Sequence, residues 1–243
     1  MARQRLDTLL VERGLFDSRA KARAAIEAGG VTVAGRTASK PSELADPDAE
    51  IEARPAHPFV GRGALKLDHA LTLWPVAVEG RAVLDLGAST GGFTEVCLKR
   101  GARRVYAVDV GRGQLHASLA ADPHVIALEG TDARALDRAL IPEPIELIVC
   151  DLSFIGLAKA LPAALELAAP GADLICLVKP QFEVGPAKVG KGGVVKDAQA
   201  RAEALAQVGA FLEGSGWPVR ASTDSPIAGG DGNLEYLAWA TKP

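Results

Sequence analysis

The sequence contains few cysteines. Its 243 residues include only three, widely spaced in apolar surroundings. An odd number of cysteines without metal-ligand spacing argues against a disulfide framework and against a cysteine-based metal site. We therefore expect Cys97, Cys150 and Cys176 to be core residues, and we predict no metal.

A long apolar run is also absent. The Ala- and Leu-rich stretch over residues 161–177 is interrupted by Glu166, Pro170 and Asp173, whereas a membrane-spanning helix needs about 20 apolar residues. Residues 1–7 lack the continuous apolar core of a secretory signal. We therefore expect a cytoplasmic protein with no membrane partner.

The chain has no large excess of charge of either sign. It has 27 Lys and Arg against 30 Asp and Glu, for a net charge of -3. Any nucleic-acid binding must therefore depend on a local basic patch. Apolar residues make up 48% of the chain and charged residues 23%, as is typical of a folded globular protein of one large domain, or of an ordinary domain plus a small one.

The first 33 residues predict two helices and a strand. Leucines recur at helical spacing in the first helix and alanines in the second, Asp17 and Ser18 are N-cap residue types, and Gly14 and Gly29 follow the helix ends. The predicted elements cover residues 5–13, 17–28 and 31–33.

Basic residues are concentrated in residues 1–40. This segment has four acidic residues and eight basic ones: Arg3, Arg5, Arg13, Arg19, Lys21, Arg23, Arg36 and Lys40. Arg19 and Arg23 lie four apart and share a helical face that could follow a phosphate backbone. On charge alone, the alternative is an ordinary solvated helix face.

The pattern of these residues resembles a known RNA-binding module. Arg5-Leu6-Asp7, Arg13-Gly14, Ser18-Arg19 and Ile26-x-x-Gly29 occur in the order found in the module named after ribosomal small-subunit protein four. The resemblance covers about the first sixty residues and implies a small α+β RNA-binding domain. Because residues 41–58 turn acidic and proline-rich, we place the domain boundary there and predict domains 1–58 and 59–243.

Apolar runs alternate with helical stretches from Arg81 onward. The predicted strands cover residues 82–86, 104–108, 124–128, 145–150, 173–178, 218–221 and 235–240. Such alternation predicts an α/β fold with a parallel sheet and helices on both faces. The last two strands are joined by a loop too short for a crossover helix, so we expect an antiparallel hairpin at one edge.

A glycine-rich loop follows the first of these strands. Because its spacing is not G-x-G-x-x-G, it disfavours a dinucleotide. Asp109 ends the second strand, where a carboxylate can accept hydrogen bonds from ribose hydroxyls, and Asp132 follows the third at a position suited to an adenine amino group. The alternative is a set of unrelated aspartates at strand ends.

The loop and the strand-end aspartates together resemble class I methyltransferases, a Rossmann-like fold whose cofactor is S-adenosylmethionine. The resemblance implies that the following residues bind the cofactor: Asp85, Gly87, Ala88, Ser89, Thr90, Gly91, Gly92, Phe93, Asp109, Val110, Asp132, Ala133 and Asp151.

Three further residues, together with Asp151, carry a resemblance to a narrower family. Lys66, Asp151, Lys179 and Glu235 occur in the order of the catalytic tetrad of FtsJ-type ribose 2′-O-methyltransferases. With the N-terminal module, nearly the whole chain resembles the TlyA family, also called hemolysin A, which methylates ribosomal RNA. The resemblance implies methylation of ribose 2′-hydroxyls, with cytidine as the nucleoside and ribosomal RNA or ribosomal subunits as partners.

The chemistry accounts for these residue types. A ribose hydroxyl is a poor nucleophile, so it needs a base or a group that stabilises the alkoxide. We expect Lys179 to be that base, with Asp151 and Glu235 orienting the two lysines. Burial and the second cation, Lys66, would favour the neutral amine, whereas close carboxylates would favour the ammonium; this balance stays open. For Lys66 and Glu235 the alternative is a pair of surface ion pairs.

We expect further RNA contacts outside the N-terminal module, from Arg62 and from Lys188 and Lys191 of the glycine-rich segment after the fifth strand.

Two other methyltransferase activities fit the residues less well. Asp151-x-x-Phe154 matches the outer residues of the loop used by amino-group methyltransferases, but the two prolines of that loop are absent. No cysteine has the context needed by a carbon-five cytosine methyltransferase. Outside active methyltransferases, the rival functions are a membrane-active hemolysin, suggested only by the family's second name, and an RNA-binding protein with an inactive methyltransferase fold.

Overall fold

The structure, a computed structural model, describes residues 3–243. Met1 and Ala2, the start of the segment assessed for a secretory signal, lie outside the described residues. The chain divides into two compact units, Met1–Pro58 and Phe59–Pro243.

The N-terminal unit contains two helices and short antiparallel strands. The elements are β1 (Gln4–Arg5), α1 (Leu6–Glu12), α2 (Arg19–Glu27), β2 (Val31–Val33), β3 (Arg36–Thr37), β4 (Leu44–Ala45) and β5 (Ile51–Ala53). β1 pairs with β4, and a second sheet has the order β3-β2-β5.

Local sequence explains both helices. Leu6, Leu9 and Leu10 of α1 are buried against the apolar face of α2. The Ser18 hydroxyl caps α2 by accepting a hydrogen bond from the Lys21 amide at 3.3 Å. Gly14, with a φ of +67°, adopts the left-handed conformation that favours glycine after a helix. The two predicted helices and the strand after them are confirmed.

The acidic, proline-rich segment is part of this unit. Its strand β4 pairs with β1 through Ala45 and Gln4, and β5 pairs with β2 through Ile51 and Val33. The segment thus belongs to the unit that ends at Pro58 and supplies edge strands up to Ala53, because the backbone groups of β1 and β2 need partners.

A buried carboxylate joins the two helices. Asp7 of α1 is fully buried and lies 3.0 Å from the Arg5 guanidinium and 2.9 Å from that of Arg19 at the start of α2. The hydrogen bonds from Arg5 and Arg19 hold the pKa of Asp7 well below its usual range. Arg23 lies 4.0 Å from Glu27 instead. The two arginines predicted to share a phosphate-binding face are therefore not equivalent, since Arg19 also holds the fold together.

We predict that Asp7→Asn destabilises the N-terminal unit by roughly 1–3 kcal/mol, the cost of losing charged hydrogen bonds in a buried place. Because the folded-state pKa of Asp7 is lowered, this stabilisation is present above the usual aspartate range and is lost as pH falls below it. All three tryptophans lie beyond residue 58, so hydrogen exchange of peptides from residues 3–58 is the measurement.

Asp17→Asn is the matched control. Asp17 also forms an ion pair with a basic residue near the start of α2, Lys21, but its side chain is exposed. Equal exchange rates in the two variants would contradict a structural role for Asp7.

The second unit is built on a seven-stranded sheet. Its elements are α3 (Ala64–Leu73), β6 (Ala82–Leu86), α4 (Gly92–Lys99), β7 (Arg104–Asp109), α5 (Ala117–Ala120), β8 (Val125–Glu129), β9 (Ile145–Cys150), α6 (Leu157–Ala160), α7 (Pro162–Glu166), β10 (Ala168–Val178), α8 (Pro180–Glu183), α9 (Ala198–Gly214), β11 (Val219–Asp224) and β12 (Tyr236–Thr241), with short 3-10 helices at Ala133–Ala135 and Pro186–Lys188. The strand order is β11-β12-β10-β9-β6-β7-β8. Strands β6 to β10 are parallel, and β12 and β11 are antiparallel at one edge.

Helices cover both faces of this sheet. Leu67 of α3 and Phe93 of α4 pack against Val83 on one face, whereas Leu212 of α9 packs in the cluster with Leu84 on the other. Burial on both faces explains why the parallel strands are nearly continuous apolar runs. The Rossmann-like α/β fold with an antiparallel edge hairpin is confirmed.

Several strand boundaries differ from expectation. The fifth strand begins at Ala168 and has a register irregularity before Asp173. β12 begins at Tyr236, so Glu235 precedes the final strand. Cys97, Cys150 and Cys176 are all buried, as predicted. Among residues 3–243, no helix has the length and apolar character required to cross a membrane.

Candidate functional site

Three adjoining cavities form one crevice along the carboxyl ends of strands β6 to β10. The glycine cavity, of about 210 Å³, is lined by Gly87, Ser89, Asp151 and Lys179, among others. The strand-end cavity, of about 410 Å³, shares Gly87 and Ser89 with it. The aromatic cavity, of about 610 Å³, is lined by Phe154, Phe182, Asp132 and Lys159, and shares Phe154 with the strand-end cavity. Ligands of open α/β sheets bind in such a crevice.

The glycine-rich loop forms the wall of the glycine cavity. Gly87 has a φ of +81°, and a Cβ there would lie 2.6 Å from the Asp151 carbonyl oxygen. At Gly91, with a φ of +93°, a Cβ would lie 2.2 Å from Leu119. Only glycine fits these two positions, and the tight turn brings the loop backbone and the amino end of α4 to the cavity.

Most of the predicted cofactor residues line the crevice. Those that do are Gly87, Ala88, Ser89, Thr90, Gly92, Phe93, Asp109, Val110, Asp132, Ala133 and Asp151. Gly91 shapes the turn without lining a cavity.

Asp85 is placed differently from the expectation. It is fully buried between β6 and α4, where its Oδ2 accepts a hydrogen bond from the Thr94 hydroxyl at 2.6 Å, and it lines none of the three cavities. Its Oδ1 has no hydrogen-bond partner among the described residues. Burial raises the pKa of Asp85 to about 7. Asp85 supports the loop from within and does not face the crevice.

The other two strand-end aspartates already hold backbone or side-chain groups. Asp109 accepts hydrogen bonds from the Ser89 amide at 2.8 Å and the Gly111 amide at 2.7 Å, one on each oxygen. Asp132 forms a two-pronged ion pair with Arg134, which lowers its pKa. Since an ionised carboxylate has about four acceptor positions, Asp109 retains capacity for a ligand. In Asp132 the backbone amide and the guanidinium of Arg134 already occupy both oxygens.

The predicted tetrad meets beside the glycine cavity. Lys66 Nζ of α3 donates to Glu235 Oε2 at 2.7 Å and lies 3.8 Å from Asp151 Oδ2. Asp151 Oδ1 lies 2.6 Å from Lys179 Nζ. Lys66 and Glu235 are 7% and 4% exposed, so the alternative of surface ion pairs is wrong. The four side chains form one continuous chain of ion pairs, Glu235–Lys66–Asp151–Lys179.

Sequence reasoning missed two residues of the site, Ser153 and Asn233. The Ser153 hydroxyl accepts a hydrogen bond from Lys179 at 2.8 Å. The buried Asn233 amide accepts from the Val195 amide at 3.0 Å and donates to the Gly193 carbonyl at 2.9 Å, which ties the glycine-rich segment to the chain just before Glu235. Asn233 is two residues from Glu235, and that proximity was the available signal.

The predicted RNA-binding residues are exposed or half-buried, and many have partners within the protein. Arg13 donates to the Pro47 and Ala49 carbonyls, and Arg62 to the Ala228 carbonyl. Lys21, Arg36 and Lys188 pair with Asp17, Glu43 and Glu203 respectively. The exposed residues also include Arg3, Lys40 and Lys191. Within the described part of the chain, no three His, Cys, Asp or Glu side chains are grouped as metal ligands would be.

Comparison with known proteins identifies the family. The family described as FtsJ-like methyltransferase matches residues 59–242, and the S4 domain family matches residues 4–51. A Mycobacterium tuberculosis protein named 16S/23S rRNA (cytidine-2'-O)-methyltransferase TlyA is 48% identical over 239 residues, covering 98% of this chain and 89% of the relative. The chain belongs to the TlyA family of FtsJ-like methyltransferases.

Other TlyA-family relatives carry a different name. Hemolysin A of Brachyspira hyodysenteriae is 37% identical to this chain, with 96% of this chain and 98% of the relative covered. A solved structure of a Streptococcus thermophilus protein with the hemolysin name is 37% identical and has a TM-score of 0.78, covering 100% of this chain and 89% of that one.

We predict that Asp85→Asn stabilises the second unit increasingly as pH rises. The folded-state pKa of about 7 lies above the unfolded value near 3.9, so in the wild type the unfolded chain ionises first and stability falls between these two pH values. In Asp85→Asn residue 85 does not ionise, so this loss of stability with rising pH is absent. Its advantage in free energy of unfolding should therefore grow by roughly 2–3 kcal/mol from pH 5 to pH 8.

Urea unfolding followed by tryptophan fluorescence measures this difference, and Asp224→Asn, at an exposed strand end, is the control. A difference between Asp85→Asn and wild type that does not change with pH would contradict the raised pKa.

Proposed function

We propose that the protein transfers a methyl group from S-adenosylmethionine to the 2′-hydroxyl of a cytidine in ribosomal RNA. The observation that carries the proposal is the buried chain Glu235–Lys66–Asp151–Lys179, whose last two members line the glycine cavity. A positioned amine beside a cofactor crevice is what activation of a hydroxyl requires. The printed name of the Mycobacterium tuberculosis relative supports cytidine as the nucleoside.

The crevice residues fit the proposed cofactor. Gly87 lines both the glycine cavity and the strand-end cavity and has no side chain, so an extended ligand can lie against its peptide groups. We assign the methionine part to the glycine cavity and the adenosine part to the strand-end cavity, where the remaining acceptor positions of Asp109 suit ribose hydroxyls and Val110 offers an apolar side chain. Bound there, the cofactor supplies an electrophilic methyl group on a positively charged sulfur.

Lys179 is assigned the proton transfer. Its side chain is 10% exposed and is held by Asp151 and Ser153, so its Nζ has a fixed position at the edge of the glycine cavity. In its neutral form the Lys179 amine accepts the proton of the 2′-hydroxyl as the oxygen attacks, and the carboxylate of Asp151 stabilises the resulting ammonium, which restores the ion pair. Lys66, fixed by Glu235, keeps Asp151 in place and offers positive charge to the developing alkoxide.

We predict that Lys179→Met slows methyl transfer by about 10²- to 10⁴-fold, the usual loss for one positioned base. Cofactor affinity should stay within about threefold, since the amine is assigned to the hydroxyl and not to the sulfonium. The measurements are methyl incorporation into ribosomal RNA and calorimetric titration with S-adenosylhomocysteine. Lys242→Met, after the end of β12, is the control.

Retained turnover in Lys179→Met would refute the assignment of the base. Nuclease digestion and mass spectrometry of the wild-type product also distinguish ribose methylation from base methylation, because an amino-group methyltransferase would leave the methyl group on the base and not on ribose.

The N-terminal unit is assigned the anchoring of the RNA. The S4 match and the excess of basic residues in residues 1–40 support this division, because the crevice itself is rich in carboxylates that suit a cationic cofactor and repel phosphates. Since ribosomal RNA is the proposed substrate, we place this activity in the cytoplasm.

We predict that Arg23→Gln with Lys40→Gln lowers the slope of log affinity against log salt by about one to two, since each neutralised phosphate contact contributes ~0.7–0.9. These positions avoid Arg19, whose loss would disturb Asp7. The measurement is a salt titration of binding to a ribosomal RNA fragment. A double variant with the same charge loss in the second unit, Arg220→Gln with Lys242→Gln, should leave the slope unchanged; equal slopes in all three proteins would show that the N-terminal basic residues make no phosphate contact.

A further inference from the structure

A loop without regular structure forms one wall of the strand-end cavity. It covers residues 110–116, between β7 and α5, and it places Val110, Gly111 and Gln114 on the cavity. Gly113, with a φ of +65°, turns the backbone in the middle of the loop. Such a loop has no helix or strand hydrogen bonds of its own, so its shape depends on what its amides bind.

Both ends of the loop are tied to the cofactor crevice. The Gly111 amide donates to Asp109 Oδ1 at 2.7 Å, and the Gly111 carbonyl accepts from the Gly130 amide at 2.8 Å. At the other end, the His116 amide donates to the Thr90 carbonyl of the glycine-rich loop at 3.2 Å. These contacts fix where the loop begins and ends but not the course of its middle.

One carboxylate holds the middle of the loop. Glu129, the last residue of β8, accepts hydrogen bonds from three successive amides: Gly113 at 2.9 Å, Gln114 at 2.8 Å and Leu115 at 3.1 Å. The hydrogen bond from Gly113, with those from Leu115 and Gln114, lowers the pKa of Glu129. Glu129 itself lines none of the three cavities of the crevice.

We propose that Glu129 is a positioning residue for the adenosine part of the cofactor, which acts by holding the amides of residues 113–115 so that Gln114 and Gly111 wall the strand-end cavity. The proposal rests on the proposed function, because it takes the strand-end cavity as the adenosine site. Glu129 does not contact the ligand. Its hydrogen bonds set the fraction of protein molecules in which the loop of residues 110–116 already has the binding conformation.

The loss of cofactor affinity expected in Glu129→Gln follows from the fraction of molecules whose loop has the binding conformation. When only a fraction of molecules is competent to bind, the apparent dissociation constant rises by the inverse of the fraction. In Glu129→Gln one carboxylate oxygen is replaced by an amide nitrogen, which donates hydrogen bonds and cannot accept them. At least one of the three loop amides therefore loses its hydrogen bond. Losing a hydrogen bond to a charged acceptor in this way should weaken binding about tenfold to a hundredfold. Turnover at saturating cofactor should stay within about twofold, since the tetrad is unchanged.

The experiment compares full-length wild type, Glu129→Gln, Glu129→Asp and a matched control, Glu213→Gln. Glu213 also accepts a backbone hydrogen bond, from the Val219 amide at 2.9 Å, but it lies at the end of α9 and lines no part of the crevice. Calorimetric titration with S-adenosylhomocysteine gives the affinity, steady-state kinetics separate KM for S-adenosylmethionine from kcat, and hydrogen exchange of residues 110–116 in the free protein reports loop order.

The expected result is weaker binding, a raised KM, a nearly unchanged kcat and faster exchange of the loop in Glu129→Gln, with Glu213→Gln like wild type. Glu129→Asp keeps the charge but shortens the reach, so it should also bind weakly. Wild-type affinity in Glu129→Asp together with weak binding in Glu129→Gln would overturn the proposal, since the negative charge at residue 129, and not its reach to the loop amides, would then explain the effect. Unchanged affinity in both variants would overturn it as well. If wild type itself does not bind S-adenosylhomocysteine, the proposed function fails and not merely the role of Glu129.

Discussion

The buried ion pair between Lys66 and Glu235 constrains the rest of the crevice. Removing two charges from water costs several kcal/mol for each, and the mutual attraction offsets that cost only when both partners are held in good geometry. Here the partners come from α3 and from the residue before β12, far apart in the sequence, and Asp151 also lies near Lys66. The end of β9, the start of β12 and the helix α3 must therefore stay in register, and Lys179 is placed through Asp151 as a result.

The proposed function requires this chain to bind two ligands of opposite charge, a cationic cofactor and a polyanionic RNA. A crevice bordered by Asp109, Asp132 and Asp151 attracts a cationic cofactor, and the same carboxylates oppose a polyanion. The excess of basic residues lies in the first forty residues. Even there, Asp7 neutralises part of the charge of Arg5 and Arg19, so the count of basic residues overstates the attraction for phosphates.

Much of this site could be predicted from sequence, because strand ends of a parallel sheet converge at one edge. Glycines after β6 and polar residues after β9 and β10 were sufficient to place the loop, Asp151 and Lys179 at that edge. What sequence did not indicate was the direction of each side chain. Asp85 looked like another strand-end ligand, yet strand alternation turns it with Val83 toward α4 and away from the crevice. The partner of Arg19 depends on the approach of two helices, and the strands β4 and β5 are too short to leave a periodic pattern.

Phe154 lines the crevice in a conformation that lowers the stability of the folded protein. Its φ is +67°, a conformation that strains any residue with a side chain. The residue is 91% exposed, and its ring contacts that of Phe182. Neither feature contributes to folding, and glycine at this position would relieve the strain and remove exposed apolar surface at once. A chain optimised for thermal stability alone would not have phenylalanine at this position. Phe154 is therefore a position at which the folded state is not at its stability optimum.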